Sequence, residues 1–415
     1  MCSAGSLAIA PFIYKMKKLT PYQIWFIFSL TTLTIIGIIS FKLPFRGDER
    51  HIVETIRLFA DNFNFSTIKD YPEVTPPFFY IFYALWAKVF SSSIESLRIL
   101  TLIISFITWQ LVFFLNSYFT KKGIYALLLS LLIVINPYFF GAGVFVFTDM
   151  LTILFCLAAV ISFLKDRITL LIIFSTLAIL CRQYAVIFPI AVIIFFVIRY
   201  LQQKPINRFY LLGSLLTFLP LIFLFLIWRN ISPGSGLKKW LIPNSTFYNL
   251  DYINTYITFS VVYIFPLVIV LVKKIKLSYS NLIIPFILTT ILSFFPIKPS
   301  MATLEFTDYK TVGFVHQVIS EIFGYNSIGL KIILLILLFI GCYINVEIIK
   351  RLYIEIKGKI MDRKIILVLL WILFLVIMPF SYQVWEKYLT MILPVLVLSV
   401  YIILFPMNDK SNAQL

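Results

Sequence analysis

Long apolar runs recur along almost the whole chain and constrain its fold more than any other feature. The first run, Trp25 to Phe41, can cross most of a hydrocarbon core once its polar flanks reach the two interfaces. Hydrophobic residues make up 61% and charged residues 13% of the 415 residues, and the mean hydropathy is +0.99. Because backbone groups in lipid must be hydrogen-bonded within the protein, this pattern predicts an all-α polytopic membrane protein.

The apolar runs predict twelve membrane spans. Their approximate bounds are 22–41, 95–117, 123–141, 149–164, 168–182, 184–198, 208–229, 258–272, 281–297, 327–349, 365–380 and 388–406. Several runs are short for a full crossing, so one pair could instead form a re-entrant hairpin.

Cationic residues gather in alternate connections between the predicted spans. With a cytoplasmic N-terminus, the inner segments hold 20 of the 35 Lys and Arg residues but only 5 of the 18 Asp and Glu residues. The inner side therefore has a net charge of +15, against +2 for the rest of the chain. By the positive-inside rule, both termini are predicted to be cytoplasmic. The overall charge of +17 is thus a topology signal, and we expect no nucleic-acid partner.

The first external loop contains two further helical patterns. The apolar residues of segment 48–62 fall on one face, which predicts an amphipathic helix. The stretch from Thr75 to Phe90 is also apolar, but counting it as a span would place the later lysine clusters outside. We therefore predict a helix in the outer interface, with Thr75 as its N-cap and the two following prolines in its first turn.

Two membrane modules are predicted between cytoplasmic ends. In chain order, the N-terminal segment, the catalytic transmembrane module, the C-terminal transmembrane module and the tail are residues 1–21, 22–200, 201–406 and 407–415. The first module includes the external loop 42–94. The second carries the external loops 230–257 and 298–326, whose aromatic and hydroxyl residues suit either an interfacial belt or a sugar-binding surface.

A pair of carboxylates, Asp48 and Glu49, follows the first span. A carboxylate pair at the border of the membrane is a candidate for acid–base chemistry. Asp48 could equally cap the helix that starts there, while Glu49 favours the positive end of that helix. The sequence is compatible with both roles for Asp48.

Other charged residues at the predicted outer ends of spans converge on the same side. They are Arg98, Asp149, Arg182, Glu386 and Lys387. We interpret Arg98 as an interfacial residue that extends its charge towards water. Asp149 and Arg182 could form a structural salt bridge. Arg182 lies between two long apolar runs, however, and needs an anionic partner, for which a lipid phosphate would serve.

Patterns that bind metals are sparse. The two histidines, His51 and His316, are too few for a histidine-based metal centre unless carboxylates supply most of the ligands. The four cysteines have no metal-site spacing. A divalent cation held by Asp48, Asp149 and a diphosphate stays open, and we expect no other cofactor.

Four short motifs follow one another in an order found in a known superfamily. They are an acidic pair after the first span, a Thr-Pro-Pro, a Thr-Asp at the outer end of a middle span and an Arg-Gln between spans. This order resembles the GT-C membrane glycosyltransferases, which use polyprenyl-phosphate-linked sugars. Within them, the chain looks most like the dolichyl-phosphate-glucose-dependent α-1,2-glucosyltransferase family, DIE2/ALG10.

The motifs match that family in detail. Asp48-Glu49 with His51 resembles the family's Asp-Glu-x-x-His, and Val74-Thr75-Pro76-Pro77 resembles its Thr-Thr-Pro-Pro. Phe147-Thr148-Asp149 resembles Tyr-Thr-Asp, and Arg182-Gln183 begins like Arg-Gln-Thr-Asn. His51 lies one residue closer to the acidic pair than in the family, and Tyr184-Ala185 replace Thr-Asn. The resemblance extends over residues 22–200.

The resemblance implies a GT-C-like bundle of about twelve transmembrane helices with interfacial helices in the first external loop. It implies transfer of a hexose, glucose in that family, from a polyprenyl-phosphate sugar to an acceptor hydroxyl, with inversion. The acceptor would be a lipid-linked glycan or a protein. The reaction would take place on the external or lumenal face of a bacterial inner membrane or the endoplasmic reticulum, with membrane lipids around the bundle.

Roles in that reaction are predicted residue by residue. Asp48 is expected to act as the general base, with Glu49 as its rival or as an orienting group. Arg182 and Lys387 are expected to hold the leaving phosphate, and Asp149 to hold Arg182 or a donor hydroxyl. Further contacts with substrate are expected from His51, Thr75, Pro76, Gln183 and Glu386.

Two other function classes compete with this one. A transporter or lipid flippase would show two matching halves with broken helices near the midplane of the bilayer, and we find no such halves in the sequence. An enzyme that polymerises or ligates lipid-linked glycans would use similar outer loops, and the sequence leaves it open.

Overall fold

The computed structural model describes residues 19–240, 248–274, 279–306, 310–359 and 362–405. Within these ranges the chain forms helices and connecting segments and has no β-strand. The predicted all-α fold class is confirmed. Most of the predicted N-terminal segment and the whole predicted tail lie outside the described residues.

Twenty-one α-helices, α1 to α21, follow one another along the described chain. Their bounds are Pro21–Ser40, Glu49–Asp61, Phe65–Lys69, Phe78–Val89, Ile94–Phe119, Gly123–Val134, Pro137–Ala142, Thr148–Leu164, Ile168–Cys181, Ile187–Leu201, Arg208–Leu216, Leu219–Trp228, Gly234–Trp240, Leu250–Tyr263, Phe265–Lys274, Tyr279–Ser293, Met301–Phe306, Phe314–Phe323, Ile328–Lys357, Ile366–Ile377 and Leu389–Leu404. Short 3₁₀ segments occur at Gln183–Val186, Arg363–Ile365, Met378–Phe380 and Glu386–Tyr388.

Seven helical stretches of the described chain are long and apolar enough to cross a membrane. They are Pro21–Ser40, Ile94–Phe119, Gln183–Leu201, Arg208–Trp228, Ile328–Lys357, Arg363–Phe380 and Glu386–Leu404. Four more predicted spans correspond to shorter apolar helices of 10–17 residues, at Gly123–Val134, Thr148–Leu164, Ile168–Cys181 and Asn281–Ser293. At 1.5 Å per residue, such helices fall short of a hydrocarbon core of about 30 Å.

The remaining predicted span, 258–272, is not one straight helix. α14 ends at Tyr263 and α15 begins at Phe265, and the two helices are bent by 83° to one another. Pro266 is the second residue of α15. Its ring removes a backbone N–H and clashes with the carbonyl of the preceding turn, which accounts for the break. If this bent pair counts as one span, the described chain has eight full-length spans.

The two helices predicted in the first external loop are present and pack against each other. α2 buries the apolar face predicted from its sequence, and this face lies against α4. α4 begins at Phe78, after both prolines, and its N-cap is Pro77. The prediction that Thr75 caps this helix is therefore wrong. The Thr75 hydroxyl is instead 2.9 Å from the hydroxyl of Tyr80.

Three elements bring polar residues to one end of the bundle. Only residues 165–167 join α8 to α9, so these helices pack as an antiparallel pair, and the start of α8 lies beside the end of α9. The long helix α21 is buried along nearly its whole length and packs against α8 and α20. Its first turn, preceded by Glu386–Tyr388, reaches the same end as α2.

Candidate active site

A buried ion pair holds the turn that leads from α1 into α2. Arg98 Nε and Nη2 donate to the two carboxylate oxygens of Glu49, at 2.9 and 2.5 Å, and both side chains are fully buried. Arg98 also donates to the backbone carbonyls of Ser40, Leu43 and Pro44. The interpretation of Arg98 as an interfacial residue is wrong. Its burial is possible because Glu49 and these carbonyls accept hydrogen bonds from all three nitrogens of its guanidinium group.

Glu49 has a second set of donors. Its carboxylate accepts hydrogen bonds from the backbone N–H groups of Arg46 and Val146, at 3.1 and 3.0 Å. A carboxylate with this many donors, and with no exposed surface, is not placed to meet a substrate hydroxyl. Its observed contacts hold the loop before α2 against α5 and the segment before α8.

Asp48 stands at the exposed side of the same turn. Gly47 precedes it with a φ of +51°, a left-handed conformation that favours glycine. Asp48 is the N-cap residue of α2, but its carboxylate makes none of the capping hydrogen bonds predicted for it. It faces Lys387 instead.

The pair formed by Asp48 and Lys387 joins the first external loop to the start of α21. Asp48 Oδ2 accepts from Lys387 Nζ at 2.5 Å, and the two side chains are 48% and 24% exposed. The Lys387 ammonium holds the pKa of the Asp48 carboxyl well below its usual range, although burial opposes this. Asp48 is therefore ionised at neutral pH and still open on one side.

His51 lies one turn further along α2, between two carboxylates. Its Nε2 is 3.8 Å from Asp48 Oδ1, and its Nδ1 is 2.7 Å from Glu73 Oε1. Burial opposes a charge on His51, but the contacts with these two carboxylates outweigh it and raise the pKa of His51 to about 9. Sequence reasoning missed Glu73, because it lies with Asp70 in the short loop between α3 and α4, where no motif distinguishes it.

A second ion pair connects the start of α8 to the end of α9. Arg182 Nη2 donates to Asp149 Oδ2 at 3.1 Å, and each side chain is 11% exposed. Tyr184 donates from its hydroxyl to the other Asp149 oxygen at 3.4 Å. Arg182 Nε is buried and has no hydrogen-bond partner among the described residues. The described residues therefore leave one donor of this guanidinium unsatisfied.

Tyr388 connects the two ion pairs. The Arg182 guanidinium carbon and the Lys387 Nζ each lie 5.9 Å from the centroid of the Tyr388 ring. The two cations are therefore no further apart than twice that distance. The structure thus brings together five of the residues singled out from the sequence: Asp48, His51, Asp149, Arg182 and Lys387.

Glu386 lies beside this group but faces away from it. Its buried carboxylate accepts from the Tyr263 hydroxyl at 2.6 Å and from the backbone N–H groups of Val315 and His316 at 3.0 and 2.8 Å. These bonds fasten the 3₁₀ turn that carries Lys387 to the first turn of α18. The observed contacts of Glu386 are with the protein.

Thr75, Pro76 and Gln183 lie at the loop that carries Glu73. Gln183 Nε2 donates to the carbonyl of Val74 at 2.6 Å, and the Tyr71 hydroxyl donates to the carbonyl of Thr75 at 2.6 Å. Pro76 follows directly in the same loop. Arg182 of the Arg-Gln motif thus belongs to the charged group, whereas Gln183 is bonded to the backbone of the loop that carries Glu73.

The segment 228–240 covers the other side of this loop. Its hydrogen bonds are from Trp228 Nε1 to Ile68 O, from Ser232 Oγ to Val74 O, from the N–H and Oγ of Ser235 to Asp70, and from Trp240 Nε1 to Pro72 O. The Trp240 ring centroid lies 4.9 Å from that of His51. Trp240, from the segment 228–240, therefore forms a wall of the site.

The described residues contain no group of three or more His, Cys, Asp or Glu side chains arranged to hold a metal ion. Asp48 and Asp149 each face a cation of the protein. A divalent cation recruited together with a diphosphate stays a prediction.

Comparison with known proteins identifies one family for part of the chain. The family model described as DIE2/ALG10 matches residues 48–211. Over these residues the chain is similar to the DIE2/ALG10 family. The match begins at Asp48 and includes Glu73, Asp149 and Arg182, whereas Lys387 and Trp240 lie beyond it. It confirms the predicted resemblance and the predicted enzyme class, a glycosyltransferase, in an integral multi-pass membrane protein.

Two solved structures show a distant similarity. The crystal structure of ArnT from Cupriavidus metallidurans in the apo state has 11% sequence identity and a TM-score of 0.42, with 92% of this chain and 77% of that chain covered. The structure of the same protein bound to undecaprenyl phosphate has 12% identity, a TM-score of 0.42 and the same coverage. No curated protein matches the sequence significantly.

Proposed function

We propose that this glycosyltransferase moves a hexose from a polyprenyl-phosphate sugar to an acceptor hydroxyl, with Asp48 as the general base. The observation that carries the proposal is a half-exposed, ionised carboxylate paired with Lys387, with a second cation, Arg182, on the same Tyr388 ring as Lys387. A carboxylate of this kind can accept a proton, and the cations can take up the negative charge of a leaving phosphate.

The bond changes balance within this group. The acceptor oxygen forms a bond to the anomeric carbon as the bond from that carbon to the phosphate oxygen breaks. The hydroxyl proton passes to Asp48, and the electron pair of the broken bond stays on the polyprenyl phosphate. One negative charge therefore moves from Asp48 to the phosphate. Because a single displacement occurs opposite the leaving group, the anomeric configuration inverts.

We propose that Lys387 pairs with Asp48 before the donor binds and with the donor phosphate afterwards. While it is paired with Asp48, that carboxylate is a weak base, because the ammonium stabilises its ionised form. A donor phosphate would compete for the ammonium and make Asp48 a stronger base. Arg182 Nη2 stays bonded to Asp149, and the remaining donors of the guanidinium would bond the same phosphate.

We place this reaction on the external or lumenal face, with both termini cytoplasmic. Support comes from the distribution of charge, since the cationic connections fall on the side opposite Asp48. The family similarity supports a polyprenyl-phosphate donor, with glucose as the first sugar to test. It also favours a lipid-linked glycan as the acceptor over a protein.

The proposal is tested with purified protein and a panel of radiolabelled polyprenyl-phosphate hexoses, by release of polyprenyl phosphate in the presence of acceptor. Asp48→Asn removes proton acceptance at nearly constant size, so we expect transfer to fall by at least about a hundredfold while donor binding persists. Asp61→Asn, at the exposed end of the same helix, is the matched control and should leave transfer unchanged. Near-normal transfer by Asp48→Asn would overturn the assignment of the base.

A further inference from the structure

We propose that Glu73 is a positioning residue that holds His51 as a cation beside Asp48. The proposal rests on the proposed function only for its effect on transfer. The state of His51 is a property of the folded protein and can be measured without any substrate.

The geometry around the His51 ring leads to this assignment. Both ring nitrogens face carboxylate oxygens, Nδ1 at 2.7 Å from Glu73 and Nε2 at 3.8 Å from Asp48. A neutral imidazole has one N–H and one acceptor nitrogen, so one of the two carboxylates would then face a lone pair. Only the doubly protonated ring presents a hydrogen to each.

Glu73 is built to stay in place. Its side chain is 6% exposed, and its Oε1 also accepts from the Thr55 hydroxyl at 3.4 Å. The loop that carries Glu73 is fastened on both flanks, by Gln183 to the carbonyl of Val74 and by Trp240 to the carbonyl of Pro72. A buried carboxylate without a cation is costly, and His51 is the cation that this one contacts.

The other groups around His51 leave this assignment intact. From the 3₁₀ segment Glu386–Tyr388, Lys387 pairs with Asp48, which lies 3.8 Å from the ring. From the segment 228–240, the Trp240 ring covers the imidazole, and the Lys239 ammonium lies 4.7 Å from the centroid of that indole. On α2 itself, Arg50 points outward and pairs with Glu54 at 3.7 Å. The carboxylates of Asp48 and Glu73 are thus the anions that contact the ring.

A cation at His51 matters to the chemistry of Asp48. The base then lies between two positive groups, Lys387 and His51, and both stabilise its ionised form. A neutral His51 would make Asp48 a stronger base, as loss of Lys387 to a donor phosphate would. Because His51 stays charged, we expect transfer to be independent of pH through the neutral range.

The direct test is ¹³C NMR of protein labelled at histidine Cε1. The chain has two histidines, so the spectrum contains two resonances, and His51→Gln assigns one of them. Burial lowers the pKa of His316 to about 4, whereas that of His51 is raised to about 9. We expect neither resonance to move between pH 5.5 and 7.5 in the unmodified protein. In Glu73→Gln, the His51 resonance should titrate near the ordinary histidine value of about 6.5.

Two controls keep the outcome interpretable. The His316 resonance reports folding, because its position depends on burial and on the bond from the Val312 N–H to its Nδ1. Glu54→Gln removes an exposed glutamate of the same helix and should leave His51 unchanged. If Glu73→Gln does not fold, Glu73→Asp replaces it and should lower the pKa of His51 by a smaller amount. A His51 resonance that titrates near 6.5 in the unmodified protein, or stays flat in folded Glu73→Gln, overturns the proposal.

The consequence for transfer is measured separately. We expect kcat/KM to be flat from pH 6 to 8 in the unmodified protein. In Glu73→Gln it should rise by up to about fourfold over that range, with an inflection near pH 6.5, because neutral His51 makes Asp48 a stronger base. Absence of transfer in every form would contradict the proposed function and leave the NMR result standing. A parallel pH profile in both forms, with His51 titrating only in the variant, would show that the charge of His51 has no part in transfer.

Discussion

At the scale of single residues, neighbouring carboxylates of one motif have separate environments. Glu49 is fully buried and bonded to Arg98, whereas Asp48 is half exposed and faces Lys387. Adjacent residues at a helix start point in different directions, so one anchors the loop and the other faces the open side of the site. By sequence position, Asp48 and Glu49 are equally good candidates for the base. Their ion-pair partners and their burial distinguish them.

This difference predicts a separation of stability from activity. Glu49→Gln leaves the buried Arg98 without a counter-charge, so we expect a loss of about 3–5 kcal/mol of stability, seen as a lower melting temperature in detergent. Glu54→Gln disrupts an exposed pair and should cost at most about 1 kcal/mol. Asp48→Asn should lose about as little stability as Glu54→Gln. A stable but inactive Glu49→Gln would instead return Glu49 to the list of candidate bases.

At the scale of elements, the segment 228–240 is fitted against the loop that carries Glu73. A Cβ atom at Gly236 would lie 2.1 Å from the carbonyl oxygen of Glu73, so this position has no room for a side chain. A Cβ at Gly234, two residues earlier, would come no closer than 3.9 Å to Asp70. The wall of the site therefore depends on a close backbone approach between the segment 228–240 and the loop that carries Glu73.

The two glycines form a matched pair for mutation. Gly236→Ala must displace the segment 228–240 or the Glu73 loop, and we expect transfer to fall at least about tenfold, equivalent to about 1.4 kcal/mol. Gly234→Ala should keep transfer within about twofold, because alanine fits there and suits a helix. Radiolabel transfer at saturating donor measures both. Equal activity of the two variants would mean that the segment 228–240 has no part in the reaction.

At the scale of the whole molecule, Asp149 and Asp166 lie near opposite ends of α8 and have different partners. Asp149 belongs to the candidate site, whereas Asp166 accepts from Arg363 at 2.5 Å and from the hydroxyl of Tyr210. Arg363 is one of the cations that the charge distribution assigns to the cytoplasm. The bundle thus separates a site at one end from a cationic cluster at the other.

Cysteine labelling tests which end faces outward. In a Cys2→Ser background, a cysteine at the exposed position Lys238 should react with an impermeant maleimide added from the external or lumenal side. A cysteine at Lys122, also exposed, should react only after the membrane is made permeable. Cys156, Cys181 and Cys342 are buried and should stay unlabelled. The reverse pattern would place Asp48 in the cytoplasm and contradict the proposed side of the reaction.

The sequence by itself determined the helical class, the approximate positions of most apolar helices and the residues of the charged motifs. Apolar runs and cationic connections indicate membrane position directly, because the preference of a segment for lipid or water depends mainly on its own composition. It also placed α2 and its buried face. Where local rules gave two answers, as with Asp48 as cap or base and Arg98 at the interface, the sequence had no means of choosing.

Tertiary structure decided which charges are partners. Asp48 and Lys387 are 339 residues apart, and Glu49 and Arg98 are 49 apart, so no local pattern relates them. No sequence pattern indicated a role for Glu73, because its proposed role depends on its contact with the His51 ring of α2. A charge becomes an anchor or a site residue only through its burial and its partners, and both arise when the helices pack.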